Sequence, residues 1–277
     1  MNNIICCIAK NEHLYINEWV KYHLDLGFGH IYIGDNDDIG APYIGDFIDA
    51  EIRHKVTIIN LRGIREQWFQ QNFYNTFYHK MLDKFDWCAF IDVDEFIVLN
   101  KWNTLNDFLQ DNRFLKYNTI MLGWHLYGDD GVCTRDISVP VFDFFKKRLN
   151  IVDIPPQSQV LYSQGKQITR GGFEKLEIHN HSAFTNGKVV GACTTRGTPC
   201  FQENHVRDIE GIIDDSAYIN HYMTKTLEEF LNQKYGRGDA MFSKRSIDIS
   251  YYWRINRPTP EKLAFIDRWM RRYKDEK

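Results

Sequence analysis

The 277-residue chain has no apolar run near the ~20 residues that a membrane-spanning helix needs. Its first residues, MNNIICCIAKNE, lack a basic segment ahead of a hydrophobic stretch, so no secretory leader is expected. The six cysteines include no Cys-x-x-Cys pair and no zinc-finger spacing. Cys6 and Cys7 sit side by side in an apolar run and read as small buried side chains. A reduced, cytoplasmic setting is the resulting expectation. Neither sign of charge dominates: 34 basic against 37 acidic residues give −3, which lacks the basic excess of a nucleic-acid binder. No repeat, low-complexity tract or linker interrupts the chain. What is plentiful is aromatic, with 19 Phe, 15 Tyr and 7 Trp. Such rings fill cores, and they also line grooves for flat or sugar-like ligands.

The apolar pattern alternates between strand and helix. NIICCIA (3–9) reads as a buried parallel strand. Tyr15, Trp19, Tyr22, His23 and Leu26 then recur at helical spacing, and Gly27 ends the run. HIYIGDND is a second strand, YIGDFIDA a short helix and KVTIINL a third strand. Residues 65–84 predict a long helix with Phe69, Phe73, Phe77 and Met81 on one face. WCAFI is a fourth strand and NTIMLGW (118–124) a fifth. This βα alternation predicts an α/β fold with a parallel sheet, where ligands bind beyond the strands' carboxyl ends. The second half is less regular. KQITR, KLEIHNH and AYINHY (217–222) read as strands. TLEEFLNQKYG is a helix opened by a Thr226/Glu229 capping box, and TPEKLAFIDRWMRRYK is another with Thr259 as N-cap. The expected organisation is a catalytic domain over 1–240 and a helical extension, 241–277, packed on it.

The chemistry concentrates in WCAFIDVDEF. Five apolar residues lead into three carboxylates, Asp92, Asp94 and Glu95. Clustered hard oxygen ligands at a strand end suit Mg²⁺ or Mn²⁺, whose charge offsets their repulsion. The plain alternative is an acidic turn capping backbone groups. His179 and His181 alternate in IHNHSAF, which also admits a zinc site without evident further partners.

FIDVDEF resembles the DxD motif of GT-A glycosyltransferases. AKNEHLYINEWVKYHLDLGFGHIYIGDND is similar to the opening of family 2-like and family 92 glycosyltransferases. GWHLYGDDG and INHYMTKTLEEFLNQKYGRGDA resemble two further elements of those families, with Tyr127 replacing a Phe and Thr226 a Ser. The resemblance spans most of residues 4–240. It implies a GT-A, Rossmann-like nucleotide-diphospho-sugar transferase fold with a mixed central sheet. It also implies a metal-dependent, inverting transfer of a hexose, galactose first, from a UDP-sugar to a glycan. The implied acceptor is a bacterial surface polysaccharide or lipid-linked saccharide.

In that reading Asn11, Glu12 and Asp35 lie near the nucleotide. Asp92 faces ribose and diphosphate, while Asp92, Asp94 and His221 hold Mn²⁺ or Mg²⁺. Lys225, Lys234 and Arg237 reach the diphosphate. The acceptor's base is expected in the GDDG loop, at Asp129 or Asp130, with Glu203, Asp214 and Asp215 as further candidates and Trp124 or Tyr127 stacking on sugar. Two other readings stand beside it: a non-catalytic carbohydrate-binding relative, and a haloacid-dehalogenase-type phosphatase, which Phe96 disfavours. The basic, aromatic C-terminal helix with Arg268, Arg271, Arg272, Lys274, Trp269 and Tyr273 suggests peripheral contact with an anionic membrane.

Overall fold

The structure, a computed structural model, describes residues 1–201, 215–237 and 246–275. Its first half follows the sequence pattern closely. Strand β1 (Asn3–Ala9) leads to helix α1 (Ile16–Leu26), closed by Gly27 at φ 117°. Strands β2 (His30–Asp35), β3 (Val56–Asn60) and β4 (Trp87–Phe90) follow, with helix α2 (Phe69–Met81) between the last two. These four strands are parallel in the order β4-β1-β2-β3. Residues 44–47 form a 3₁₀ turn, not a full helix. The long helix starts later than its periodicity predicts, because Trp68 takes a left-handed φ of 60° and the chain from Ile64 runs along a cleft.

The periodicity misses one strand. The chain turns at 91–94 and continues directly as β5 (Glu95–Leu99). After α3 (Leu105–Leu109) comes β6 (Thr119–Leu126), then α4 (Val141–Phe144) and β7 (Gly165–Arg170). Strand β7 lies antiparallel between β4 and β6, so the central sheet is mixed. A short hairpin, β8 (Glu177–Ile178) and β9 (Ala183–Phe184), stands apart. Strands β10 (Ala192–Thr194) and β11 (Pro199–Cys200) extend the β6 edge. Strand β12 (Ala217–His221) pairs with both β5 and the end of β6. Helices α5 (Leu227–Gln233), α6 (Ile249–Tyr252) and α7 (Pro260–Asp275) complete the chain.

Both faces of the sheet are covered, which is why its strands read as continuous apolar runs. Successive strand residues point to opposite faces. Ile5 and Cys7 therefore join the core under α1 with Trp19 and Ile33, while Ile4 and Cys6 join Tyr74, Phe77 and Tyr78 of α2. All six cysteines are buried. Helix α1 is also bonded to β5. Trp19 Nε1 donates to Glu95 O at 2.8 Å, and Tyr22 OH donates to Ile97 O at 2.8 Å. His23 lies fully buried between two backbone partners, Trp19 O and Ile97 N, and burial brings its pKa down to about 3.

Helices α5, α6 and α7 share their own apolar cluster, where Phe230 and Tyr252 meet Phe265, Ile266 and Trp269. Trp269 stacks on Tyr273 at 4.7 Å and donates to Asn232 Oδ1 at 2.8 Å, so the rings considered for membrane contact pack on the protein. Among the described residues no helix is long and apolar enough to cross a membrane. The capping box on α5 is formed: Thr226 N donates to Glu229 Oε2 at 3.0 Å and Glu229 N to Thr226 Oγ1 at 3.3 Å. Thr226→Ala is expected to lower unfolding free energy by about 1–2 kcal/mol, as buried N-caps do. Urea denaturation checks this; a loss under a few tenths would show that the box contributes little.

Candidate active site

A cleft of about 510 Å³ opens at the carboxyl ends of the parallel strands. Lys10 and Glu12 reach it from the end of β1, Asn36 from β2, and Asp92 and Asp94 from the turn after β4. Trp124 comes from β6 and Lys166 from the first turn of β7. The C-terminal half supplies His221, Met223, Lys234, Arg237, Tyr251 and Arg254. Four buried side-chain atoms of these lining residues have no hydrogen-bond partner among the described residues: Glu12 Oε2, Trp124 Nε1, Asn180 Oδ1 and His221 Nδ1. Unpaired buried polar groups cost roughly 1–3 kcal/mol each, so these four atoms are open to a bound ligand or to water.

The three clustered carboxylates have three different surroundings. Asp92 Oδ2 accepts from Lys166 Nζ at 2.8 Å, and its Oδ1 from Gln70 Nε2 at 2.7 Å. Burial alone would raise its pKa, but the Lys166 ammonium more than reverses this and the net shift is downward. Asp94 is bonded by Lys234, and burial is again outweighed, by Lys234 with His221 and Lys225. Glu95 is fully buried and turns inward, where its Oε2 accepts Asp92 N at 2.9 Å and fixes the turn. Burial pushes its carboxyl well up, with only partial relief from Lys166.

The register of β5 on β12 sets His221 directly opposite Glu95. Its Nε2 lies 3.6 Å from Asp94 Oδ1. Burial draws its pKa down to about 4, so it is a neutral imidazole at pH 7. The 3.6 Å gap is too long for a hydrogen bond and short enough for both atoms to bind one ion at roughly 2.1 Å each. Two carboxylates and a neutral imidazole are a donor set that fits Mn²⁺ or Mg²⁺. Asp92 completes it only if its lysine partner gives way; among the described residues no three such side chains already converge.

The other expected residues separate. Glu12 is buried, 3.3 Å from Arg237 and 4.0 Å from Lys225. Lys225, left-handed at φ 54°, lies beneath the cleft with its ammonium over the Tyr15 ring at 4.0 Å, and burial lowers its pKa. It is not a lining residue. Asn11, at φ 58°, also acts from behind, donating to Asp37 Oδ1 at 2.6 Å and Gln233 O at 3.0 Å. Asp35 is buried and accepts from Arg62 Nε at 2.8 Å, buttressing the Asn36 loop rather than lining the cleft.

The GDDG loop differs most from expectation. Neither Asp129 nor Asp130 lines the cleft. Asp129 is buried against Tyr252 and Lys262, and its backbone N–H donates to Asn256 Oδ1 at 2.9 Å, so it anchors the loop to α6 and α7. Asp130 is exposed at φ 50° and accepts from Lys146 N at 3.1 Å. Tyr127 packs on Tyr222, leaving Trp124 as the indole that faces the cleft. Asp215 pairs with His125 and Arg148 at 3.2 and 2.9 Å, while Glu203 and Asp214 lie outside the described residues. His179 and His181 do not act together: the chain turns at 179–182, His179 packs on Phe184, and only His181 reaches the cleft.

Sequence reasoning missed Lys166, Gln70, Tyr251 and Arg254. A lysine inside KQITR reads as a solvent-facing strand position. Only the pairing of β7 between β4 and β6 turns it toward Asp92.

Comparison with known proteins finds similarity over part of the chain. Over 133 residues, 46% of this chain, the sequence is 29% identical to a protein of Oryza sativa subsp. japonica. Over 136 residues it is 29% identical to a protein of Ricinus communis. Both relatives are glycosyltransferase family 92 proteins. The chain covers only 21% and 23% of their lengths. No family model matches. Among solved structures, HddC from Yersinia pseudotuberculosis superposes over 84% of this chain and 98% of its own, at 14% identity and a TM-score of 0.37. A complex of HddC with GMP-PN gives 0.34.

Two outcomes follow from this geometry. Asp129→Asn leaves the buried Lys262 ammonium without its counter-charge. It is expected to cost about 3 kcal/mol in urea denaturation, with nucleotide affinity unchanged. Lost affinity with full stability would return this loop to the site. Lys166→Met is expected to destabilise by a similar ~3 kcal/mol at pH 7. Asp92 has a depressed pKa, so its contribution is complete above the ordinary carboxylate value and lost as pH falls below it. The difference between wild type and variant in urea melts should therefore narrow in acid; a constant difference would contradict this.

Proposed function

We propose that this protein is a glycosyltransferase of GT-A type that holds a nucleotide-sugar donor in the cleft and transfers its sugar to a hydroxyl acceptor. The observation carrying this reading is the combination in one cleft of neutralised acidic residues, the cations Lys234, Arg237 and Arg254, and unpaired polar atoms near Trp124. The family 92 similarity supports the same chemistry over nearly half of the chain. A UDP-hexose is the donor of choice, with galactose first on resemblance alone. The same resemblance suggests a saccharide acceptor on a surface glycan or lipid.

On this reading Asn36, Lys10 and Arg65, which line the cleft, would flank the nucleoside. Lys234, Arg237 and Arg254 form the cationic wall against which a diphosphate would lie, where leaving-group charge develops. Asp94 and His221, with Asp92, would hold Mn²⁺ or Mg²⁺, which when bound stabilises the diphosphate's negative charge. The Trp124 indole offers a flat apolar face for the sugar ring.

The test is release of UDP from a panel of UDP-sugars with Mn²⁺. At least one sugar should turn over, and Asp94→Asn should lower kcat 100-fold or more while circular dichroism is unchanged. Full activity of Asp94→Asn, or of wild type in excess EDTA, would remove the metal role. Release of phosphate from phosphate esters instead would overturn the reading.

A further inference from the structure

Sugar transfer with inversion needs a base for the acceptor hydroxyl, placed across the sugar from the leaving diphosphate. The loop expected to supply it points elsewhere; Asp92 and Asp94 are bound to lysines, Glu95 fixes the turn, Glu12 is paired with Arg237, and Glu66 is exposed on the 64–69 segment. His181 also lines the cleft, and its surroundings are specific. Its Nδ1 lies 3.0 Å from Gly165 O at the start of β7. A carbonyl only accepts, so Nδ1 carries the proton and the lone pair sits on Nε2. Nε2 has no hydrogen-bond partner among the described residues, and the ring lines the cleft.

The position relative to Trp124 decides the role. His221 packs on one side of the indole at 4.3 Å between centroids, and His181 stands edge-on to it at 5.4 Å. Strands β12 and β7 flank the end of β6, so His221 and His181 stand on opposite sides of Trp124, with Lys166 and Asp92 next to His181. A sugar lying on the indole would have the diphosphate end on one side and His181 on the other. Asn180, next in the chain, brings its unpaired Oδ1 to the same wall and can accept from a substrate hydroxyl. Burial, with help from Lys166, keeps the imidazole neutral, with a pKa drawn down to about 4.

We propose that His181 is the catalytic base. This rests on the glycosyltransferase reading. The acceptor oxygen bonds to the anomeric carbon as the carbon–oxygen bond to the diphosphate breaks and its electron pair leaves on the nucleoside diphosphate. The acceptor proton passes to His181 Nε2 and from there to solvent.

The test compares His181→Ala and His181→Gln with wild type on a donor that wild type uses. Both variants should lose 100-fold or more in kcat, the range of general-base catalysis, while calorimetric UDP affinity stays within twofold. Added imidazole should restore part of the activity of His181→Ala. Retained kcat, or UDP affinity lost in step with kcat and no rescue, would overturn the base role while leaving the donor reading intact. Wild type that turns over no nucleotide sugar would sink both. Nitrogen-15 NMR of the free protein gives an independent readout: the proton should sit on Nδ1 of His181 at neutral pH, and a proton on Nε2 contradicts the proposal.

Discussion

The site is organised around the cost of gathering Asp92, Asp94 and Glu95 at the end of a buried strand. Three carboxylates in four positions repel one another, and burial penalises each charge further. Each is handled differently. Asp92 is neutralised by Lys166 from the antiparallel strand β7, and Asp94 by Lys234 at the end of α5. Glu95 gives its carboxylate to the backbone of the turn. Much of the second half of the chain is placed by these bonds. Lys234 can reach Asp94 only if α5 starts beside the cleft, and α5 starts there because β12 runs antiparallel to β5 and delivers His221 opposite Glu95.

On the proposed reading the same arrangement suits an anion. A lysine that neutralises a carboxylate of the cleft would already stand beside an incoming diphosphate. Ammonium groups preset in this way need little reorganisation when charge develops on a leaving group, which is the main source of electrostatic catalysis. Asn11 and Lys225, both held at positive φ behind the cleft, act on its shape and field rather than by contact.

How much of this was legible in the sequence depended on how local the signal was. Strands β1 to β4, helix α1 and the Thr226 capping box were legible because periodicity and capping are properties of adjacent residues. The Asp92–Asp94 pair was legible because charges at a strand end are unusual. Strand β5 was missed because Glu95–Leu99 follows the acidic turn without a punctuating glycine or proline. Lys166 was not recognised, and His181 was read only with His179 as a possible zinc pair, because their placement depends on tertiary pairing: β7 inserts between β4 and β6, and the 179–182 turn separates His181 from His179. Asp129 misled for the opposite reason. Its Gly-flanked loop has the composition of a site, but Lys262 and Tyr252, far along the chain, claim its carboxylate.

The most direct test of the central claim is a crystal structure with UDP and Mn²⁺, using anomalous scattering to locate the metal. The account predicts a diphosphate against Lys234 and Arg237, Mn²⁺ touching Asp94 and His221, and uracil toward Asn36. Nucleotide bound away from this cleft, or Lys234 still on Asp94 with the cleft empty at saturating UDP, would contradict it.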